Sequence, residues 1–210
     1  MPTRLFLLSP ATLNGLRSKQ LTSPRAKFAL AQQYRTADGV PVADAFAFMS
    51  ALYFRGKIAY ARRFAAPSPI IGGDGIFIIT SGYGLVPPDW RITEERMKKM
   101  RRIDIDSDSR AYAKPLRDHA QLIARALDQE PGGDGEVVLL GSVATGKYVD
   151  ILWPILGKRL RFPIAFAGLG DMARGGLMLR ASRAGKELEY VTLDANRKRP
   201  PGATGKMPAL

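Results

Sequence analysis

Apolar residues in this chain fall into blocks that follow two different periods. Arg4 to Leu8 (R-L-F-L-L), Gly75 to Thr80 and Glu136 to Leu140 are short, nearly continuous apolar runs bounded by turn residues. Such runs have no polar face and predict β-strands covered on both sides. Arg159 to Phe166 and Leu188 to Leu193 are weaker strand-like segments. From Val42 to Phe64 the spacing changes: Ala45, Phe48, Met49, Leu52, Tyr53 and Ile58 fall at helical intervals, and Arg55, Lys57, Arg62 and Arg63 intrude among them. One or two amphipathic helices with a basic face are expected there. Thr93 to Arg102 predicts a short helix, with a threonine cap, acids in the first turn and bases in the last. Ser109 to Gln129 predicts a longer one with Ala113, Leu116, Ala120, Ile123 and Leu127 as its inner stripe, ended by P-G-G-D-G at 131–135. Tyr148 to Leu156 reads as a helix, or a helix followed by a strand, and the segment after the first strand as a polar, basic loop.

Alternating strands and helices predict an α/β fold: one domain over residues 1–193, with a mostly parallel central sheet flanked by helices. Residues 194–210 lack apolar periodicity and predict a mobile basic tail.

Composition adds a partner to this picture. The chain has 210 residues, 46% hydrophobic and 24% charged, the mix of a soluble globular domain. Its 32 Lys and Arg against 19 Asp and Glu give a formal net charge of +13, well beyond what solubility needs. An anionic partner follows, with nucleic acid first because a basic field binds phosphates by counterion release. The alternative is a basic protein with no polyanion partner. There is no cysteine and a single histidine, His119. Disulfide-linked partners, thiol nucleophiles, zinc-thiolate sites and histidine-centred triads are therefore excluded, and carboxylates, amides, hydroxyls and bound water remain for chemistry. Neither a metal nor a cofactor is expected. Asp104, Asp106 and Asp108 sit in I-D-I-D-S-D-S, which lacks the glycine and terminal glutamate of a calcium loop and reads as solvated surface. The apolar run at 4–8 is too short for a signal or membrane segment, so a cytoplasmic protein is expected.

Four strand ends share small, polar or glycine residues: L-L-S-P-A at 7–11, I-T-S-G-Y-G-L-V-P-P-D at 79–89, L-L-G-S-V-A-T-G-K-Y at 139–148 and F-A-G-L-G-D-M-A-R-G-G-L-M-L-R at 166–180. If the strands are parallel, these loops converge on one edge and build one pocket. G-S-V-A-T-G-K-Y lacks the Ser/Thr that follows the lysine of a nucleotide-binding P-loop. Tyr53, Tyr60, Tyr83 and Tyr148 each neighbour glycine or a base and read either as stacking surfaces for a nucleobase or as half-buried core tyrosines.

In this order the motifs resemble, as those of a divergent relative, the YaaA family of peroxide-stress, DNA-binding proteins. L-L-S-P-A at 7–11, A-L-Y-F-R-G-K-I-A-Y at 51–60, S-G-Y-G-L-V-P-P-D at 81–89, V-A-T-G-K-Y at 143–148 and M-A-R-G-G-L-M-L-R at 172–180 carry the resemblance. Thr12 and Lys147 stand where the family has lysine and glutamate. The resemblance implies DNA as partner and, at fold level, a sandwich similar to that of uracil-DNA glycosylases. A base-excising N-glycosylase needs neither thiol nor metal. The expected assignment places Asn14, or an acid beside it, on the attacking water, and Asp89 or Asp171 on the base edge or sugar cation. Ser9, Tyr83 and Tyr148 would bind the base, and Arg17, Lys19, Lys147, Arg174 and Arg180 the phosphates. Asp171 and Arg174 are equally candidates for a structural ion pair. A modified base, as in defence against phages that decorate their DNA, is the favoured substrate. A non-catalytic DNA-binding stress protein is the alternative, and an enzyme on free nucleosides a third reading.

Overall fold

A computed structural model describes residues 2–192. In chain order the strands are β1 (Arg4–Leu8), β2 (Val40–Pro41), β3 (Ile76–Thr80), β4 (Gly84–Val86), β5 (Arg91–Ile92), β6 (Glu136–Leu140), β7 (Leu160–Pro163) and β8 (Tyr190–Thr192). The helices are α1 (Leu16–Leu21), α2 (Ala29–Tyr34), α3 (Val42–Met49), α4 (Ala51–Phe64), α5 (Glu94–Arg101), α6 (Arg110–Asp128), α7 (Val149–Leu156) and α8 (Asp171–Ala184). A six-stranded sheet runs β4-β3-β1-β6-β7-β8, with β2 and β5 forming a separate antiparallel pair. β3, β1, β6 and β7 are parallel, and the two edge strands β4 and β8 are antiparallel to their neighbours. The mostly parallel α/β sheet is as the sequence predicts. The proposed tail at 194–210 lies outside the described residues.

Leu5, Phe6, Leu7 and Leu8 are all fully buried, without alternation, because helices cover the sheet on both faces. α4 packs on β1, while α6 packs on β3 and β4 and also meets α7. The whole forms a single compact domain around one core cluster. The inner stripe predicted for α6 is buried throughout. Thr93 caps α5 by accepting from the Arg96 N–H, and Glu94 and Glu95 occupy the positive end of the helix dipole. The stretch from Val42 to Phe64 is two helices, broken at Ser50 and at Ala51, whose φ is +47°.

Three segments depart from the sequence reading. The loop expected after β1 carries α1 and α2, and Arg101 fastens α1 by donating to the Leu13 carbonyl, Ser18 Oγ and Thr22 Oγ1. The 79–89 stretch folds back as the β3–β4 hairpin. The glycine-rich segment around Asp171 is a 14-residue helix.

The strand order places a topological switch between β1 and β6. From β1 the chain crosses to β3 on one side, whereas from β6 it crosses to β7 on the other. The carboxyl ends of β1 and β6 therefore border a crevice, the usual ligand position in open parallel sheets.

Candidate functional site

The residue that leaves β1 at this crevice is Ser9, whose N–H donates to the Leu140 carbonyl at 3.2 Å. Its neighbour across the switch is Gly141. A Cβ there would lie 3.0 Å from Ser9 Cβ and 3.2 Å from Ser9 Oγ, so only glycine leaves the serine side chain undisturbed. Gly141→Ala is expected to fold, with about 1–2 kcal/mol lost in urea unfolding, and to turn the Ser9 hydroxyl away. A loss of ligand binding or activity larger than that stability loss explains would be the readout.

Beneath Ser9 lies a lysine. Lys57 on α4 is completely buried, and its Nζ is 2.6 Å from Ser9 Oγ and 3.0 Å from the Ser9 carbonyl oxygen. The same ammonium sits 3.7 Å from the centroid of the Tyr53 ring. Burial pulls the Lys57 pKa down to about 7; Asp171 opposes this and Arg174 adds to it. The Tyr53 hydroxyl is buried beside Ser9 and Arg174 without a well-formed hydrogen bond of its own. Tyr148, at the start of α7, completes the group, with burial pushing its hydroxyl up to about 12 in the presence of Ser9, Tyr53 and Asp171. Four strand- and helix-borne groups and one carboxylate thus meet at the end of β1.

Two glycines make this meeting possible. α4 and α8 cross so closely that a Cβ on Gly56 would stand 2.5 Å from the Gly175 carbonyl oxygen, and one on Gly175 would stand 2.7 Å from the Leu52 carbonyl oxygen. The crossing brings Asp171 and Arg174, in the first turn of α8, to the buried end of Lys57.

Beside this group opens a cleft of about 510 Å³. Pro10 to Asn14, Ser81, Arg101, Asp104, Asp106, Lys147 and Tyr148 line it. Asp104 and Asp106 are exposed on its wall, as the surface reading of that segment requires. A larger cavity of about 810 Å³ lies at the opposite, amino edge of the sheet. There Arg4 pairs with Glu136 and Glu187, and Arg161 approaches Glu136 at 3.7 Å. The carboxyl-edge cleft is the one that shares Tyr148 with the buried Ser9–Lys57 group.

The expected site residues divide accordingly. Ser9, Tyr148, Asp171 and Arg174 come together, and Asn14 and Lys147 stand on the cleft wall. Among the described residues Asp171 and Arg174 form no ion pair; Arg174 Nε donates to the Phe166 carbonyl at 3.2 Å. Arg17 and Lys19 are exposed on α1, with Arg17 reaching the Phe48 carbonyl at 3.3 Å.

Asp89 and Tyr83 do not join them. β4 runs antiparallel to β3 and carries the chain back from the carboxyl edge, so Asp89 lies in an exposed turn. The Pro88 and Trp90 carbonyls of that turn accept from Ala43 and Val42 at the start of α3. Tyr83 packs against Trp90 at 5.0 Å, with Lys99 Nζ over its ring at 4.3 Å. Arg180 is six residues beyond Arg174, roughly 9 Å along α8 and on another face, where it lines a small groove with Leu177 and Lys186. Tyr60 is a core residue bonded to Tyr190 Oη at 2.6 Å.

The residue that sequence reasoning passed over is Lys57. Its signal was position: it continues the Tyr53, Phe54, Ala61 stripe at i+4 and i+3, where a solvated lysine does not belong. Among the described residues no cluster of His, Asp and Glu is placed to hold a metal ion. None of their helices is long and apolar enough to cross a membrane. Comparisons with protein-family models, with curated proteins and with solved structures give no match to this chain.

Proposed function

We propose that this protein is a DNA N-glycosylase that draws a flipped nucleotide into the carboxyl-edge cleft and cuts its glycosidic bond, leaving an abasic site. The observation that carries the reading is the convergence at the β1/β6 switch of a buried Ser9–Lys57 pair, two tyrosines and the Asp171 carboxylate beside a nucleotide-sized cleft. The net charge of +13 supports a polyanionic substrate. The motif resemblance to the YaaA family supports DNA, and a parallel sheet with its site at the carboxyl ends is compatible with a uracil-DNA-glycosylase-like sandwich. In this reading Tyr148 offers an aromatic face at the cleft, Asp104 and Asp106 suit the amino edge of a base, and Asp171 stabilises the sugar cation or orients water. Asn14, on the cleft wall, is the amide available to that water. Arg17, Lys19, Lys147 and Arg174 are the phosphate contacts, in a cytoplasmic protein acting on modified DNA in repair or defence.

Incubation with end-labelled DNA carrying uracil, hydroxymethylated cytosine, glucosylated cytosine or normal bases, followed by alkali, is expected to break one modified substrate. Asp171→Ala should abolish the breaks. Four phosphate contacts predict a log–log salt slope of binding of roughly −3 to −4. One observation favours a second reading, a non-catalytic DNA-binding protein: of Asn14, Asp89 and Asp171, Asp171 alone adjoins the buried lysine. Intact DNA on every substrate, together with the same salt slope, would select it.

A further inference from the structure

We propose that Ser9 and Lys57 form a proton relay that protonates the departing base as the glycosidic bond breaks. The inference rests on the base-excision reading and adds the general acid that it lacks. A departing base is a poor leaving group as an anion, so the reaction gains from a proton donor matched to neutral pH. The chain offers few. It has no cysteine, and His119, its one histidine, is held by Nδ1 on the Leu85 backbone in the β4–α6 interface.

The geometry around Lys57 directs its proton outward by one route. The ammonium has three N–H groups; the Ser9 carbonyl oxygen and Ser9 Oγ take two, and the Tyr53 ring at 3.7 Å and the Phe54 ring at 5.7 Å flank the rest. Lys57 itself has no accessible surface, whereas Ser9 retains 5%. Of the two oxygens that Lys57 bonds, the Ser9 hydroxyl alone carries a proton of its own to pass on to a ligand in the crevice. The charged and titratable groups facing this pair are Asp171 and Arg174 from α8, Tyr53 from α4 and Tyr148 from the start of α7. No carboxylate forms an ion pair with Lys57 among the described residues, so nothing pins the proton there, and burial brings the group to about 7. The buried Tyr53 hydroxyl, beside Ser9 and Arg174, is a further polar group at the pair.

In the step, the C1′–N bond breaks and its electron pair goes to the base nitrogen, which takes the Ser9 Oγ proton. Ser9 Oγ takes one from Lys57 Nζ, leaving a neutral amine. Water adds to the sugar cation and gives its proton to the Asp171 carboxylate, and solvent then restores both groups. The products are the free base and an abasic site.

The test compares wild type, Ser9→Ala and Lys57→Met on DNA carrying uracil or hydroxymethylated cytosine and on the same DNA carrying the 5-fluoro analogue of uracil, whose anion leaves without protonation. Wild-type excision of the ordinary base should fall tenfold per pH unit above about pH 7. Both variants should lose roughly 10²- to 10⁴-fold on it, yet under tenfold on the fluorinated base. Equal losses on both bases would overturn the relay and leave base excision standing. Intact DNA throughout would overturn both. Independently of activity, one lysine side-chain nitrogen resonance should titrate near pH 7 in the wild-type protein and vanish in Lys57→Met. A protein whose lysines all stay charged to pH 9 has no relay, and the resonance is readable even if a variant is inactive.

Discussion

A methyl group on Gly56 or Gly175 is expected to cost about 1–2 kcal/mol of stability net and to disable the site in the same step. In either variant the new Cβ meets backbone, at 2.5 Å from the Gly175 carbonyl oxygen or 2.7 Å from that of Leu52. Backbone cannot rotate aside as a side chain does, so α4 and α8 must separate. Overpacking of this kind typically costs 1–3 kcal/mol. The better helix propensity of alanine returns about 1 kcal/mol, which offsets part of that loss without reversing it. For a domain of this length the melting temperature should fall by roughly 2–8 °C. The separation also withdraws Asp171 and Arg174 from Lys57, so under the proposed function DNA binding or excision should drop further than the fraction unfolded accounts for. Wild-type activity in a destabilised but folded Gly175→Ala protein would show that the crossing positions nothing.

Lys57→Met is expected to change how stability depends on pH. The folded pKa, about 7, lies below the ordinary 10.5, so between these values the unfolded chain binds the extra proton. Stability then rises with pH across that window, and below pH 7 the cost of the buried charge is present in full. At about 1.4 kcal/mol per pH unit, the wild-type protein should gain a few kcal/mol from pH 7 toward pH 10 relative to the variant. Tyrosine ionisation above pH 10 affects both proteins alike and cancels in the difference. Methionine leaves the Ser9 carbonyl without its donor, which lowers the variant at every pH by about 1–3 kcal/mol. Urea unfolding at pH 6, 8 and 9.5 checks the prediction: parallel curves would mean that Lys57 stays charged in the folded protein.

How far the sequence discloses these features depends on whether a single segment contains the reason for its own structure. β1, β3 and β6 were legible because a strand buried on both faces must be apolar throughout. α5 and α6 were legible because caps and stripes are local. α8 was not, since Gly170, Gly175 and Gly176 argue for a loop until the close contact with α4 supplies the need for a glycine inside a helix. α1 and α2 were hidden for a related reason: they are six residues each, and α1 is held by Arg101, a partner from α5. The hairpin that removes Asp89 from the cleft was missed because strand direction is set by the neighbour, and neither T-S-G-Y-G nor V-P-P-D states it.

The site shows the same division. Convergence of strand ends on one edge followed from parallel strands, and Ser9 and Tyr148, beyond β1 and β6, lie near Asp171 and Arg174 of α8, the helix that follows β7. Lys57 was read as part of a basic face with Arg55, Arg62 and Arg63, because a lysine on a helix is ordinarily solvated. By itself the sequence determined the mostly parallel sheet, its buried strands and the basic balance, since each follows from local period or from composition. Tertiary structure alone decided which side of the sheet each loop reaches, that two glycines let α4 and α8 touch, and that one lysine is sealed beneath Ser9. Burial and its effect on a charge arise from what surrounds a residue, and those surroundings come from segments far away in the chain.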